Sequence, residues 1–459
     1  MRDAMEGSEG AIDSMVPIAP VVAADPIDPA IRTKHLFQWP SRFLGPRPGL
    51  LEINLACWGL FIGFVLVPFL IPFWLQFKAG GELIHLLPCD FVYFYGIGHI
   101  ANQYPLARLY DYALVLKVTD GIFPLHGLVW GPNPYPPYVA LFFSLFAKFS
   151  FLPAYLLWMA TSLGFYLVGI AATVKGVFPR EPLKTSLVFC FALSFYPFFI
   201  CALKNGQFST LAVLAVGLAI SRERNARPFV GGLALSMLAY KPTLLLLVVP
   251  MLLLTRRWKM LAGFSTGFAV LVLVTTWFGG LGIWSTYLHS LSFFRRFIES
   301  QGQSVLQLWE YVDFNSFSYA IPGGRSAPAL AILTCLSIAA AVALAALLWR
   351  SAKDSRSAQD LAWAATLTWT LLLNLYVPVW DSILVVIALI LMLRVLGKLG
   401  WSVAASWIVV LALLMLAVTW NVVAKSNRHG TQFMMILLFV LGSVQLLLLR
   451  RVARMASPQ

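Results

Sequence analysis

Apolar positions along this chain gather into long runs, not into the alternating or one-face patterns of a soluble domain. Twelve runs stand out, at about 53–77, 137–151, 153–174, 185–203, 207–220, 229–254, 261–278, 328–348, 361–377, 382–396, 401–420 and 431–449. Runs of roughly 17–25 apolar residues are what a helix needs to cross about 30 Å of hydrocarbon. Lipid offers no partner to a bare backbone N–H or C=O, so each crossing must be helical. The pattern predicts an all-α, polytopic transmembrane bundle of about 12 spans within residues 49–450.

Polar stretches between the runs set the expected topology. Residues 1–48 begin acidic, turn rich in Ala and Pro and show no helical or strand period. They read as a disordered cytoplasmic tail, and their acidic start without an apolar core speaks against a cleavable signal peptide. Arg32, Lys34, Arg42 and Arg47 precede the first run, which puts the N-terminus inside by the positive-inside tendency. Arg256, Arg257 and Lys259 are inside by the same rule, and "RRVAR" returns the chain to the cytoplasm, with 451–459 as a short C-terminal tail. Two sizeable loops, 78–135 and 279–327, then share the external face. The middle resists this scheme. One span per run places the basic stretches "KGVFPREPLK" and "SRERNARP" outside, against the tendency. The alternative has 137–151 in the interface and 229–254 re-entering, broken at Pro242, where a helix loses a backbone hydrogen bond.

Composition sharpens the class. Of 459 residues, 60% are hydrophobic and 11% charged, against roughly 45–50% and about 25% in soluble domains. Six of the 19 acidic residues (Asp3, Glu6, Glu9, Asp13, Asp25, Asp28) lie in the first thirty positions. With a formal net charge of +14, the body is therefore strongly basic, its Lys and Arg gathered in short loops as on a cytoplasmic face. That balance needs no nucleic acid, and no nucleic-acid motif is present. Cys57, Cys89, Cys190, Cys201 and Cys335 show no metal-type spacing. Four of them suit packing in apolar segments, and Cys89 lies near an external surface without an obvious partner, so neither a disulfide nor a zinc site is expected. No Walker motif occurs. No inverted repeat shows either, which disfavours a secondary transporter.

Ionisable residues at the borders of such runs are where chemistry is to be sought. In "LPCDFVYFYGI", Asp90 sits among Phe91, Tyr93, Phe94 and Tyr95. As an N-cap it accepts orphan backbone N–H groups at the membrane surface. As a general base it takes a proton from an acceptor hydroxyl, its pKa raised by burial beneath a loop. Tyr93 and Tyr95 offer faces suited to an interface or to a sugar. Asp111, after Tyr110, is a turn residue or a polar substrate contact. Pro136 and Pro137 in "YPP" begin a span cleanly, and His99 and His126 are too isolated for a metal. "KNGQFSTL" sets Lys204, Asn205, Gly206 and Gln207 between apolar segments as a tight connection. "LAYKPTLLLL" puts Lys241 inside an apolar stretch, where it either snorkels to a surface or holds a phosphate at the bilayer edge. In "LSFFRRFIES", Arg295 and Arg296 among Phe293, Phe294 and Phe297 fit an amphipathic interfacial helix or a clamp on a lipid phosphate. "YVPVWDSIL" ends with Trp380 and Asp381 at a span boundary, and Asp381 and Asp90 are the two external carboxylates most economically placed.

Taken in order, these pieces resemble glycosyltransferase family 87, polytopic enzymes of the GT-C class. The resemblance rests on "DFVYFY", "LYD", "YPP", "LP" with a downstream "LW" (Leu152, Pro153, Leu157, Trp158), "NGQ", "AYKP", "RRW" and "WD", over roughly residues 85–390. It implies transfer of a sugar, commonly mannose, from a polyprenyl-phosphate donor to a glycan or glycolipid on the external face. The essential carboxylate then lies in the first external loop, which by position is Asp90. The family's "GQN" is "GQF" here, with Phe208, and its "KPQ" is "KPT", with Thr243; these departures bear on the sugar and acceptor more than on the reaction class. Such a donor carries its own activation, so no nucleotide site and no cofactor is implied. One positioned carboxylate contributes about 10²–10⁴-fold. Lys241, Arg295 and Arg296 are the cations on offer to the leaving phosphate. Tyr93, Tyr95, Asp111, Gln207, Trp380 and Asp381 complete the expected substrate contacts. No carboxylate pair has convincing metal-ligand spacing.

The expectation is a multi-pass glycosyltransferase of a bacterial inner membrane, its active site facing the periplasm. Its partners are a polyprenyl-phosphate-sugar donor, a glycan or glycolipid acceptor and membrane lipids. Two rivals stand beside it. A lipid-linked sugar flippase needs alternating access and no acceptor chemistry, and a non-catalytic subunit of an envelope-polysaccharide complex tolerates loss of Asp90.

Overall fold

The computed structural model describes residues 49–78, 89–122, 131–178, 181–301, 311–320, 323, 325–351, 355–398 and 433–456. Among them the named elements are all helices, with one isolated bridge between Tyr311 and Pro378. Helix α1 (Leu50–Phe61) runs through a π turn (Ile62–Leu66) into α2 (Val67–Lys78). Polar anchors tie α1 to the later chain: Asn54 Nδ2 donates to the Leu183 carbonyl (2.8 Å) and Trp58 Nε1 to Ser186 Oγ (2.9 Å).

Next come α3 (Cys89–Gln103), a 3₁₀ turn (Leu106–Tyr110), α4 (Tyr112–Ile122) and α5 (Pro137–Ser144). The stretch 78–135, expected as a loop, is thus helical over much of its described length, and residues 91–98 are buried. The aromatics after Asp90 fill the core. Phe94 stacks on Phe143 with centroids 4.8 Å apart. At Gly98 the two backbones come so close that a Cβ would stand 2.5 Å from the Phe143 carbonyl oxygen.

Helix α6 (Phe151–Val177) is followed by α7 (Pro182–Ser194), which bends by 57° into a π-helical segment (Pro197–Lys204). Helix α8 (Thr210–Arg224) lies against α6. The apolar run 229–254 then folds as two arms. One is α9 (Pro228–Leu235) with a 3₁₀ turn (Ser236–Tyr240); the other is a 3₁₀ turn (Pro242–Leu245) with α10 (Val248–Leu254). Between them Lys241 is extended (φ −134°, ψ 84°) and Pro242 has no N–H to carry the helix on. Helix α11 (Trp258–Gly279) starts beside the start of α9: a Cβ on Gly232 would meet the Met260 carbonyl at 1.9 Å, and one on Gly263 the Phe229 carbonyl at 2.0 Å. An ion pair from Arg257 to Glu223 (2.9 Å) closes the base. Residues 228–254 therefore leave one end of the bundle and return to it. Arms of about 20 Å, at 1.5 Å per residue, also fall short of a full crossing.

The chain continues through α12 (Gly282–Gln301), α13 (Phe314–Ala320), α14 (Ala327–Ser351), α15 (Arg356–Leu372), a 3₁₀ turn (Val379–Ile383), α16 (Leu384–Lys398) and α17 (Phe433–Ala456). Among the described residues six helices are long and apolar enough to cross a membrane, and the bent pair 182–204 is either one broken span, for a total of seven, or a re-entrant loop. Of the other runs, 137–151 divides between α5, a short 3₁₀ turn and the start of α6; 207–220 lies mostly in the 15-residue α8, and 361–377 falls largely in the 17-residue α15. The expected span at 401–420 and the tail 1–48 lie outside the described residues. The expected C-terminal boundary at 450 falls inside α17, which continues to Ala456.

Charged side chains gather at one end of this bundle. Asp360, near the start of α15, accepts from Arg224 at the end of α8 and from Arg394 near the end of α16 (2.6 Å). Glu223 accepts from Arg257 and from Trp363 Nε1 (2.9 Å), and the Arg257 guanidinium lies over the Trp363 ring. The opposite ends of α8, α15 and α16, about 20 Å of helix rise away, carry the candidate site.

Candidate functional site

The "NGQ" turn is built before its chemistry. Gly206 has φ +69°, the left-handed region that favours glycine, and a Cβ there would stand 2.6 Å from that of Phe91. Helix α6 grips the turn from beneath: Trp158 Nε1 donates to the Gly206 carbonyl and the Tyr155 hydroxyl to that of Lys204, both at 2.8 Å. The tryptophan of the "LW" pair thus serves the turn. Held this way, Gln207 is buried and hydrogen-bonds the carboxyl of Asp90.

Asp90 occupies the first turn of α3 and is half-buried. Burial pushes its pKa up to about 6, and the Gln207 hydrogen bond opposes that rise by favouring the charged form. A helix N-terminus also steadies negative charge.

The second carboxylate is buried outright. Asp381 is 1% exposed; its Oδ1 accepts from Ser209 Oγ at 2.6 Å and its Oδ2 from Lys241 Nζ. Both partners sit at the tips of their elements, Ser209 just before α8 and Lys241 at the fold of the hairpin. The tip is pinned on two sides. The Tyr138 hydroxyl donates to the Ala239 carbonyl (2.6 Å), and Asn374 Nδ2 to that of Thr243 (2.8 Å). The turn bearing Asp381 is fixed from above by Asp313, which accepts from Val377 N (2.7 Å), Ser316 N (2.8 Å) and Ser316 Oγ (2.9 Å). Burial raises the Asp313 pKa, and these hydrogen bonds hold the rise down.

Tyr135 feels the charge of both carboxylates. Its phenol is pushed up by burial first, then by the charges of Asp381 and Asp90, so it stands within electrostatic reach of both. Its segment is braced from α12 and from the 3₁₀ turn at 106–110: Ser290 Oγ donates to the Asn133 carbonyl (2.9 Å) and the Tyr110 hydroxyl to that of Tyr135 (3.0 Å). The two regions read as external loops, 78–135 and 279–327, thus meet at one end of the molecule.

Asp90, Gln207, Lys241 and Asp381 therefore converge. Tyr93 belongs with them, its ring 6.4 Å from that of Tyr135, and Trp380 is carried on the Asp381 turn, packed against the core. The other expected residues stand as follows. The Tyr95 hydroxyl donates to the Phe149 carbonyl (2.8 Å), fastening α3 to the turn before α6. Asp111 pairs with Arg108 (3.0 Å) and caps α4 through Leu114 N (3.2 Å), the turn role of a short acidic side chain. Arg295 and Arg296 lie on the exposed side of α12, whose other side meets Tyr112 through Phe293 and Phe297. Ser209, Tyr135 and Asp313 were not singled out from sequence. Ser209 had a signal, two residues after Gln207; Tyr135 stood hidden in a proline run and Asp313 in an ordinary turn.

Chemically the cluster offers one carboxylate near neutrality, one locked carboxylate and a lysine with two further N–H donors. Among the described residues no group of three or more His, Cys, Asp or Glu is placed to hold a metal ion.

The model of glycosyltransferase family 87 matches residues 133–378, just over half of the chain. The match takes in Tyr135, Gln207, Ser209 and Lys241, and stops short of Asp90 on one side and Asp381 on the other. No curated protein and no solved structure matches.

Proposed function

This chain belongs to glycosyltransferase family 87, and from that premise we propose that it moves a hexose from a polyprenyl-phosphate-sugar to a glycan or glycolipid. As a multi-pass membrane glycosyltransferase it takes a sugar donor and an acceptor. Mannose is the sugar that the family's usual chemistry favours, and the periplasmic face of a bacterial inner membrane is where such a donor meets its acceptor.

The observation that carries the reading is the juxtaposition of Asp90, poised near pH 6, with the Lys241–Asp381 pair around Tyr135. Asp90 takes the proton of the acceptor hydroxyl as its oxygen bonds to the anomeric carbon. The bond from that carbon to the phosphate oxygen breaks, and the lipid phosphate leaves with the electron pair. Lys241 offers its remaining N–H donors to that developing charge. Gln207 keeps the Asp90 carboxyl ionisable and aimed. Tyr135 supplies a ring face for the sugar, and the buried Tyr93 packs against it.

Purified protein in detergent, given polyprenyl-phosphate-mannose and membrane glycolipids, is expected to form a mannosylated lipid without a sealed membrane. Asp90→Asn is expected to lower that rate by about 10²–10⁴-fold while the protein still folds. Full activity in Asp90→Asn removes Asp90 from the role. Absence of product, with the lipid-linked sugar instead crossing sealed vesicles, would establish a transporter.

A further inference from the structure

The lysine placed to meet a phosphate is already occupied. Lys241 lies at the tip of an apolar hairpin, 20% exposed, and gives one N–H to Asp381. Asp381 is itself almost wholly enclosed, and its other oxygen is held by Ser209, also buried. A lone ammonium among apolar residues is costly, and a partner carboxylate offsets that cost. Yet a full ion pair at the phosphate's landing point also competes with the phosphate.

We infer that Asp381 is a stand-in anion: it neutralises Lys241 while the site is empty and yields one share of the lysine when the donor's phosphate arrives, with Ser209 setting how tightly it holds on. This rests on the reading of Lys241 as the phosphate contact, and it makes Asp381 a positioning residue and not a sugar contact. The geometry provides for the exchange. Lys241 has more donors than Asp381 uses, so the phosphate joins the pair without first breaking it. Ser209 donates to Oδ1 and draws on the carboxylate's charge, which leaves Oδ2 a weaker competitor than a bare carboxylate. Ser209 also anchors Asp381 to the start of α8, so the carboxylate stays behind when the lysine tilts toward its ligand.

Two variants shift phosphate binding in opposite senses. Asp381→Asn keeps the shape, and its amide oxygen still meets Lys241 while its NH₂ turns to Ser209 Oγ. The competing charge is gone, so a phosphate monoester or diester gains the lysine's full charge. Ser209→Ala leaves both charges but removes the donor that weakens Asp381, so the internal pair tightens.

The test is binding of a short-chain polyprenyl phosphate, with inorganic phosphate as a second probe, to the full chain in detergent. Asp381→Asn is expected to bind at least about tenfold tighter, because a like charge held in the protein interior no longer repels the probe. Its melting temperature should sit below wild type without ligand and rise further on adding it, because the probe supplies the missing counter-charge. Ser209→Ala is expected to fold normally and bind about threefold more weakly. Lys241→Met reports separately on the underlying reading. Loss of binding there, with no tightening in Asp381→Asn or no weakening in Ser209→Ala, overturns the stand-in role and leaves the phosphate contact in place. Unchanged binding in Lys241→Met overturns both. Should Asp381→Asn not fold, the direction of the Ser209→Ala shift alone decides.

Discussion

At the scale of single residues, Asp90 shows how one environment produces both reactivity and instability. Burial raises its pKa to about 6 and Gln207 opposes the rise. A base must be ionised to act, so activity is expected to rise with pH through about 6 and to fall about tenfold per unit below it, in a kcat/KM profile. Replacing Gln207 by Leu removes the hydrogen bond to the charged form, which moves that midpoint upward. Stability runs the other way. A carboxyl whose folded pKa lies above its unfolded value of about 3.9 stabilises the fold fully below that value, and the contribution is lost as pH rises through about 6. Asp90→Asn has no such titration. It is expected to be slower by about 10²–10⁴-fold yet more thermostable than wild type above pH 6, by up to about 3 kcal/mol. The gap should close toward pH 4. A variant as unstable as wild type at every pH would mean that Asp90 is solvated, not buried.

At the scale of elements, the turn at Gly206 and the break at Lys241 place the polar groups. Adding a Cβ at Gly206 forces a positive φ on an L side chain and drives an atom into Phe91. Gly206→Ala is expected to cost about 1–3 kcal/mol, measured by thermal unfolding, and to lower activity by displacing Gln207 from Asp90. The helical character of the chain, the polar "NGQ" turn and the anomaly of Lys241 beside Pro242 were all legible in the sequence, because composition and punctuation are local properties. The hairpin was legible as one of two alternatives. What the run 229–254 does not encode by itself is which end it returns to; that depends on its own Gly232 and on Gly263, beyond the run, together letting α9 and α11 touch. Asp111 was legible as a turn residue, the role it takes in capping α4. Tyr95 was not: its type suits a sugar site, and nothing local tells that its hydroxyl reaches the Phe149 carbonyl.

At the scale of the whole molecule, α8 and α16 join the two ends, with Ser209–Asp381 at one and Arg224–Asp360–Arg394 at the other. The ionic end is where the basic stretch "SRERNARP" meets "TRRW", and the hairpin explains why both can obey the positive-inside tendency that a single span at 229–254 would violate. Sidedness follows as a measurable consequence. In a background without native cysteines, Arg227→Cys and Lys259→Cys, both at exposed positions flanking the hairpin, are expected to react with a membrane-impermeant maleimide from the same side. Arg296→Cys, on the exposed side of α12, should react from the other. Labelling of 227 and 259 from opposite sides would mean that 228–254 crosses the membrane once, and the path that brings Lys241 back to Asp381 would be lost with it. The Arg224–Asp360–Arg394 cluster carries a stability cost when broken. Asp360→Ala leaves Arg224 and Arg394 partly buried without their shared carboxylate, so a loss of about 3–5 kcal/mol is expected. Asp360 lies about 20 Å from the site by helix rise, so the protein that still folds should keep its donor KM. A raised KM at intact folding would show instead that the ionic end governs where α8 and α16 hold Ser209 and Asp381.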